Sequence, residues 1–332
     1  MTMAARTTFG LIIAFLLTAG GAVSWGWQHW VTDTWHEDEV VVEVLPSESS
    51  TERWGRLKVN LAGTQGERVV THLSWRGWDH RIKAGRFLLL PTESVEESAK
   101  RLVTGDREVV KLVVPSGRDV GPIAGSIAQR IFADSTEVAN RLQHDSVMWR
   151  VLPNTYEVWW ETDANKLLDR LLREHQTWWT LDRKASAQAL GLSIREATVL
   201  ASIVQAETAD LSEAPMVAGL YLNRLKKGMA LQADPTLIFA LNDPSIRRVL
   251  DVHKNVSSPY NTYSNKGLPP GPIRFVDPRY ILSVLKPAQH NHLYMCAEPE
   301  ATGKHRFART YREHLRNARA YQRWLNQQHI FR

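Results

Sequence analysis

The run SIREATVLASIVQAET, residues 193–208, carries the clearest helical signature in the chain. Ser193 and Glu196 stand three apart, the spacing of a capping box, in which each side chain satisfies a free amide of the first turn. Ala197, Leu200, Ala201 and Val204 then fall on one stripe, with Ile203 beside it, so a helix is predicted to about Thr208. Glu207 follows Leu200, Ile203 and Val204 by seven, four and three positions and projects beside that apolar face. A carboxylate placed there is paired, neutral or functional. Desolvation raises such a pKa from about 4.3 toward neutrality, the range a general acid requires.

A second helix is predicted over residues 215–227, with Pro215 suited to a first helical position and Gly228 to a left-handed stop. From Leu231 onward LQADPT, SPYNTY and GLPPGPI, with prolines at 235, 259, 269, 270, 272 and 278, predict a rigid, non-helical surface. HLYMCA (292–297) reads as a buried strand and residues 310–327 as a closing helix. A polar and aromatic loop beside a helix that ends in a glutamate makes a cleft. Its Asn, Gln, Thr and Tyr side chains suit neutral hydrogen bonding to sugars, and its aromatic faces suit stacking on pyranose rings.

Toward the N-terminus the pattern changes. Residues 35–106 read as strand-rich, with strands at 40–45 and 87–90 and a helix over 93–103 that Gly105 ends. EVVKLVV (108–114) is a further strand, closed by Pro115-Ser116-Gly117, and a soft domain boundary falls just before it. Short helices are predicted over 123–132 and 136–142, and a longer one over 165–179 with Leu168, Leu171, Leu172, His175 and Trp179 near one face. His175 reads as a helix-face histidine.

Residues 9–27 form an uncharged run of about the ~20 residues that span a bilayer as a helix. Arg6 precedes it and Asp33, Glu37, Asp38 and Glu39 follow, which puts the short N-terminus in the cytoplasm and the remainder outside. Trp25, Trp27 and Trp30 are expected at the outer interface. A cleaved signal peptide is the competing reading, since small residues crowd 18–22. The apolar run continues into tryptophans without a clean cleavage site, which favours the uncleaved anchor. The only cysteine, Cys296, lies far from this segment, so a lipidated N-terminus and an intramolecular disulfide are both excluded.

The 332 residues carry 41 Lys and Arg against 35 Asp and Glu, a formal charge of +6, with no basic run to focus it on nucleic acid. At 43% hydrophobic and 23% charged the chain is not a disordered or collagen-like one. No Walker loop, dinucleotide fingerprint, HExxH or Ser-His-Asp order is present. His290-Asn291-His292 alternates in a way that a metal could use, but without further ligands at metal spacing no metal site is expected.

ASIVQAET (201–208), NRLKKGMALQADPT (223–236), SPYNTY (258–263) and GLPPGPI (267–273) occur in one order. LPNTYEV (152–158), TGKHRFARTYREH (302–314) and RIKAGRFLLLP (81–91) accompany them. Together these blocks resemble the YceG-like (MltG) family of endolytic murein transglycosylases. The resemblance implies an α+β chain: a cytoplasmic N-terminus (1–8), a transmembrane helix (9–27), a small LysM-like α/β subdomain (36–107) and a larger mixed α+β catalytic domain (108–332) outside the plasma (inner) membrane. It implies cleavage of the MurNAc–GlcNAc β-1,4 bond within glycan strands, leaving a 1,6-anhydro-muramyl end. Glu207 maps onto the family's catalytic glutamate. Many members carry a second acid two positions earlier, where this chain has Gln205.

Asn223, Gln232, Asp234, Thr236, Tyr260, Asn261, Thr262 and Tyr263 are the expected sugar-binding residues. Asp234 alternatively caps a helix or braces the loop before Pro235, and Asn223 reaches the cleft or faces solvent. No cofactor is called for. The expected partners are peptidoglycan strands, the membrane through one helix, and peptidoglycan synthases; nucleic acid is not among them. The alternative reading is a non-catalytic peptidoglycan-binding scaffold of the wall-synthesis machinery, with a lysozyme-like hydrolase third.

Overall fold

The computed structural model describes residues 3–32, 38–64, 66–243, 246, 249–299 and 302–328, without the side chains of residues 3–15, 29 and 145. The chain divides into two compact units, Met1–Lys111 with Arg130–Phe132 and Glu157–Thr162, and Leu112–Gln129 with Ala133–Tyr156 and Asp163–Arg332.

The first unit opens with one continuous helix, α1 (Met3–Thr32), which contains the predicted 9–27 span. Residues 1 and 2 of the expected cytoplasmic segment, and the side chains of 3–15, lie outside the described ones. Among the described residues no single helix is long and apolar enough to cross a membrane. There follow β1 (Val40–Val44), α2 (Ser50–Asn60), α3 (Glu67–Trp75), β2 (Gly85–Leu89) and α4 (Val95–Thr104). β1 and β2 pair antiparallel, with Val42 opposite Phe87. Val42, Val44, Phe87 and Leu89 face a core completed by Leu57, Leu61, Val69, Leu73, Ala99 and Leu102.

The sequence reading of 35–106 as strand-rich is corrected here: three helices lie between and after the two strands. Ser49 begins α2 with a full capping box on Glu52, a signal of the same kind as the one at Ser193, but the helix it starts is short and strongly polar. The α4 expectation holds. Ser94 caps it through Glu97, and Gly105 ends it at φ +82°, where an L side chain is strained. Of the three tryptophans expected at a membrane interface, two rest on α3. Trp27 lies 4.7 Å from Trp75 between ring centres, and Trp30 stacks under the Arg68 guanidinium, while Trp25 is exposed.

β3 (Val109–Val114) pairs with β4 (Asn154–Trp159), and both strands run from one unit into the other. The structure thus divides four residues after the expected boundary and returns two later segments to the first unit.

In the second unit α5 (Val120–Ala128), α6 (Ser135–Gln143), the single turn α7 (Asp145–Met148), α8 (Ala164–Trp178) and α9 (Leu181–Ala189) precede α10 (Ile194–Glu207). After it come α11 (Ala214–Lys226), α12 (Asp234–Leu241), α13 (Pro278–Leu285), β5 (Tyr294–Ala297), β6 (His305–Ala308) and α14 (Tyr311–Gln327).

The predicted capping box of α10 is present. The single apolar stripe is not: every residue from Ala197 to Val204 is buried, because α9, α11, α12 and α13 surround the helix. Such a helix needs small residues to admit its neighbours, and Ala197, Ala201 and Ser202 supply them. α11 starts with Pro215 in its first turn and is followed by Gly228 at φ +62°, as expected.

The rigid non-helical surface after Leu231 is a second correction. Asp234–Leu241 and Pro278–Leu285 are helices, each with its proline in the first turn, where the missing N–H costs nothing. Pro235 and Pro278 start helices here and do not break them. β5 pairs antiparallel with β6, and its residues are half-buried, not buried as expected, because one face of the ribbon borders a cleft.

Candidate active site

α10 ends at Thr208, and two partners fix that end. The Tyr280 hydroxyl, from α13, donates to the carbonyls of Thr208 and Ala209 at 3.1 and 3.2 Å. The Thr208 amide closes the last turn on Val204. The final helical side chain, Glu207, therefore has a set direction. It points into a cleft of about 360 Å³ walled by α11, the 232–234 turn, Tyr263, the β5–β6 ribbon and the start of α14.

The carboxylate of Glu207 is enclosed by protein while the residue as a whole stays half-buried. Burial pushes its pKa up to about 7. A hydrogen bond from the Tyr221 hydroxyl to Oε1, 2.8 Å long, pulls the other way, and the negative charge of Asp234 adds to the rise. Tyr221 is fully buried on α11, and burial beside that carboxylate drives its own pKa well above the ordinary phenol value, so it stays a donor.

Of the expected sugar-binding residues, the structure brings Gln232, Asp234 and Tyr263 into this cleft with Glu207. Gln232 is exposed and holds φ +50°, a left-handed conformation unusual for a side-chain-bearing residue, while its amide donates to the Thr262 carbonyl. Asp234 opens α12, and its carboxylate accepts from the Tyr263 hydroxyl; it makes no cap. Burial, with that carboxylate beside it, raises the pKa of Tyr263.

Thr236, Asn261 and Thr262 are buried behind the cleft. Thr262 Oγ1 accepts from the Ala233 amide and meets Thr236 Oγ1 at 2.8 Å; Asn261 Nδ2 donates to the carbonyls of Lys254 and Val256. They hold the loop that shapes the cleft and do not line it. Tyr260 also stands outside the lining, its ring 4.8 Å from Phe239. Asn223 neither reaches the cleft nor faces bulk water. Its amide donates to the carbonyls of His290 and His292 and braces the strand entering β5.

Sequence reasoning missed the other wall. Arg224, buried on α11, donates to the carbonyls of Leu293 and Leu231 and so ties β5 to the 231–234 turn. Tyr294, His305, Tyr311 and His314 complete the lining. Glu213, buried at the start of α11, accepts from the His305 amide at 2.6 Å and lies 2.9 Å from its Nδ1. A carboxylate only accepts, so Nδ1 carries a hydrogen, which leaves Nε2 as the ring nitrogen not engaged by Glu213. His305, Tyr311 and His314 lie inside the block 302–314; the block itself was the signal, but no chemistry at its spacing singled them out.

Gln205 does not face the cleft. Its amide nitrogen donates to Ser116 Oγ and its oxygen accepts from the Asp277 amide, a bridging role that uses both ends of a neutral amide. His290 Nε2 lies 2.9 Å from the Met216 carbonyl, and its ring sits 4.8 Å from that of His292. Among the described residues no group of three or more His, Cys, Asp or Glu side chains converges as metal ligands would.

Proteins of known kind resemble this one along most of its length. A model of the YceG-like family matches residues 43–320. The chain is 34% identical over 130 residues to the endolytic murein transglycosylase of Bacillus subtilis (strain 168), covering 39% of this chain and 35% of that one. It is 24% identical over 282 residues to the enzyme of the same name from Streptococcus pneumoniae (strain D39), covering 71% and 50%. It thus spans half or less of the length of these curated relatives. The crystal structure of a yceG-like protein from Listeria monocytogenes superposes with a TM-score of 0.53 at 24% identity, over 84% of this chain and 99% of that one. That likeness concerns the mixed α+β fold. The family match spans both units and includes α10, α11 and the β5–β6 ribbon: this chain belongs to the YceG-like family.

Proposed function

We propose that the protein is an endolytic peptidoglycan lytic transglycosylase, held at the plasma membrane by its N-terminal helix with the remainder of the chain outside. It cuts the MurNAc–GlcNAc β-1,4 bond of nascent strands and so ends their elongation. One observation carries the reading: a carboxyl group held near neutral pKa at the wall of an open cleft, with a buried phenol on one of its oxygens.

Protonated Glu207 donates its proton to the glycosidic oxygen as the C1–O4 bond breaks. The C6 hydroxyl of the same muramyl ring attacks C1, and its proton passes to the Glu207 carboxylate, which restores the acid. The nucleophile is intramolecular and already placed, so no second carboxylate is needed to activate water. Tyr221 holds the carboxylate during the interval in which it is charged. Gln232, Asp234 and Tyr263 face the same space and offer hydrogen bonds to the sugars.

The uncharged run 9–27 and the unbroken helix α1 support the anchor. The order β1–α2–α3–β2, with its antiparallel pair, supports a LysM-like reading of the first unit. A hydrolytic second reading has one observation in its favour, the presence of Asp234 in the cleft; against it, the Tyr263 hydroxyl already occupies that carboxylate.

Mass spectrometry of fragments released from purified peptidoglycan tests the proposal. Internal fragments ending in 1,6-anhydro-muramic acid, absent with Glu207→Gln, are expected. Reducing ends in their place support the hydrolase. Glycan binding with no fragments from either protein supports the scaffold.

A further inference from the structure

Helix α14 carries four arginines, Arg312, Arg316, Arg319 and Arg323, at positions i, i+4, i+7 and i+11. At 100° per residue they fall within a sector of about 60°, spread over about 16 Å of helix. All four are exposed and, with Thr310, Glu313 and Leu315, line a shallow groove of about 680 Å³ along that side of the helix. The one acid of the helix, Glu313, turns its carboxylate to the Arg309 amide, and among the described residues none of the four guanidinium groups is ion-paired. Like charges at i, i+4 disfavour a helix, and this helix holds two such pairs and an i, i+3 pair between them. An anion laid along the groove removes that repulsion. Arginine, with its planar fork, takes carboxylates two bonds at a time.

Tyr311 and His314 of the same helix line the Glu207 cleft. At 100° per residue the stripe is centred about 110–170° round the helix from them, on the solvent side. An arm reaches it by passing round a helix about 10–12 Å across, a path that about five extended residues cover. We propose that Arg312, Arg316, Arg319 and Arg323 dock the carboxylate-bearing peptide arms of the strand whose sugars enter the cleft. This rests on the peptidoglycan reading of that cleft. The sugar backbone between its arms is uncharged and offers such a stripe nothing; the arms are its anionic part. A helix that lies on lipid presents an exposed face of large apolar side chains beside its basic one. Here the only exposed large apolar residue of α14 is Tyr311, at the cleft.

The test uses the full chain in detergent and insoluble peptidoglycan, either peptide-bearing or stripped of peptides with an amidase. Retention and cleavage are both measured, at low and high salt. The wild-type protein is expected to be retained about tenfold better on peptide-bearing strands, an advantage that salt erodes. Replacing all four arginines (Arg312→Gln, Arg316→Gln, Arg319→Gln, Arg323→Gln) removes the advantage and leaves cleavage of stripped strands unchanged, whereas four lysines retain most of it. An advantage that survives in the glutamine variant, or that the wild type never shows, overturns the proposal. So does stripe-dependent binding to phosphatidylglycerol vesicles with no effect on glycan. Cleavage without a stripe-dependent advantage sinks the stripe alone; a stripe-dependent advantage without cleavage sinks the enzyme alone.

Discussion

The Tyr221 hydroxyl and Glu207 Oε1, fourteen residues apart on consecutive helices, meet at 2.8 Å where α10 ends. The bond favours the charged form of a carboxyl that burial holds in the neutral one. Its two protonation states therefore lie close in energy at physiological pH, as a group that donates and then retakes a proton requires. Tyr221→Phe removes only the hydroxyl. The alkaline limb of kcat/KM is expected to move up by about one pH unit, and kcat to fall about tenfold or more because the carboxylate interval loses a charge-assisted bond. A pH–rate profile checks this; an unmoved limb would show that the phenol does not act on Glu207.

The same carboxyl has a consequence for stability. Unfolded, it titrates near its ordinary 4.5; folded, near 7. Between those values the folded protein holds a proton that the unfolded chain has lost, so stability falls as pH rises from 4.5 to 7 and stays lower above. Glu207→Gln removes that dependence and is expected to be more stable than wild type by about 1–3 kcal/mol at pH 8, with little difference near pH 4. Urea denaturation at the two pH values measures it.

Much of this site is legible in the amino-acid sequence. The capping box at Ser193 sets the phase of α10, and the phase puts Glu207 at its end. Local chemistry of that kind is written in adjacent residues. Tyr221, Arg224 and His305 are not legible in the same way, because their roles depend on which distant segments meet: Arg224 matters through the carbonyls of Leu293 and Leu231, and His305 through Glu213. The helices at Asp234 and Pro278 escape the sequence pattern for a different reason. A proline ends a helix from within and begins one at its first turn, and only the neighbouring packing decides which. Asn223, Thr236, Asn261 and Thr262 have the chemistry of sugar-binding hydrogen bonders. They spend that capacity on backbone groups of the loops that hold the cleft open.

Gly219 tests how closely α11 must approach the strand entering β5. A Cβ there would stand 2.5 Å from the Ala288 carbonyl oxygen and 2.8 Å from His290 Nε2. The first of these is backbone and cannot swing away. Gly219→Ala is expected to cost about 1–3 kcal/mol through the forced displacement, despite alanine's better helix propensity. Residues 288–292 lead into Tyr294 and Met295 of the cleft, so activity should fall alongside the melting temperature. A variant as stable and as active as wild type would show that this loop is free to shift.

Glu213 and His305 offer a way to separate holding the cleft from working in it. Glu213 clamps both the backbone amide and the ring of His305, and both partners are largely shielded from water. Glu213→Ala leaves a buried amide and an imidazole N–H without an acceptor and is expected to destabilise by about 2–4 kcal/mol. Glu213→Gln keeps an acceptor oxygen, so its cost should be about 1 kcal/mol. His305→Gln keeps a donor for Glu213 and replaces the ring that lines the cleft. If the pair only secures β6, activity will follow stability across the three variants, with KM unchanged in the two glutamines. If Nε2 touches substrate, His305→Gln will raise KM or lower kcat at full stability while Glu213→Gln stays near wild type. Steady-state kinetics beside thermal melts distinguishes the two. The position of His305 in the lining of the Glu207 cleft favours the second outcome.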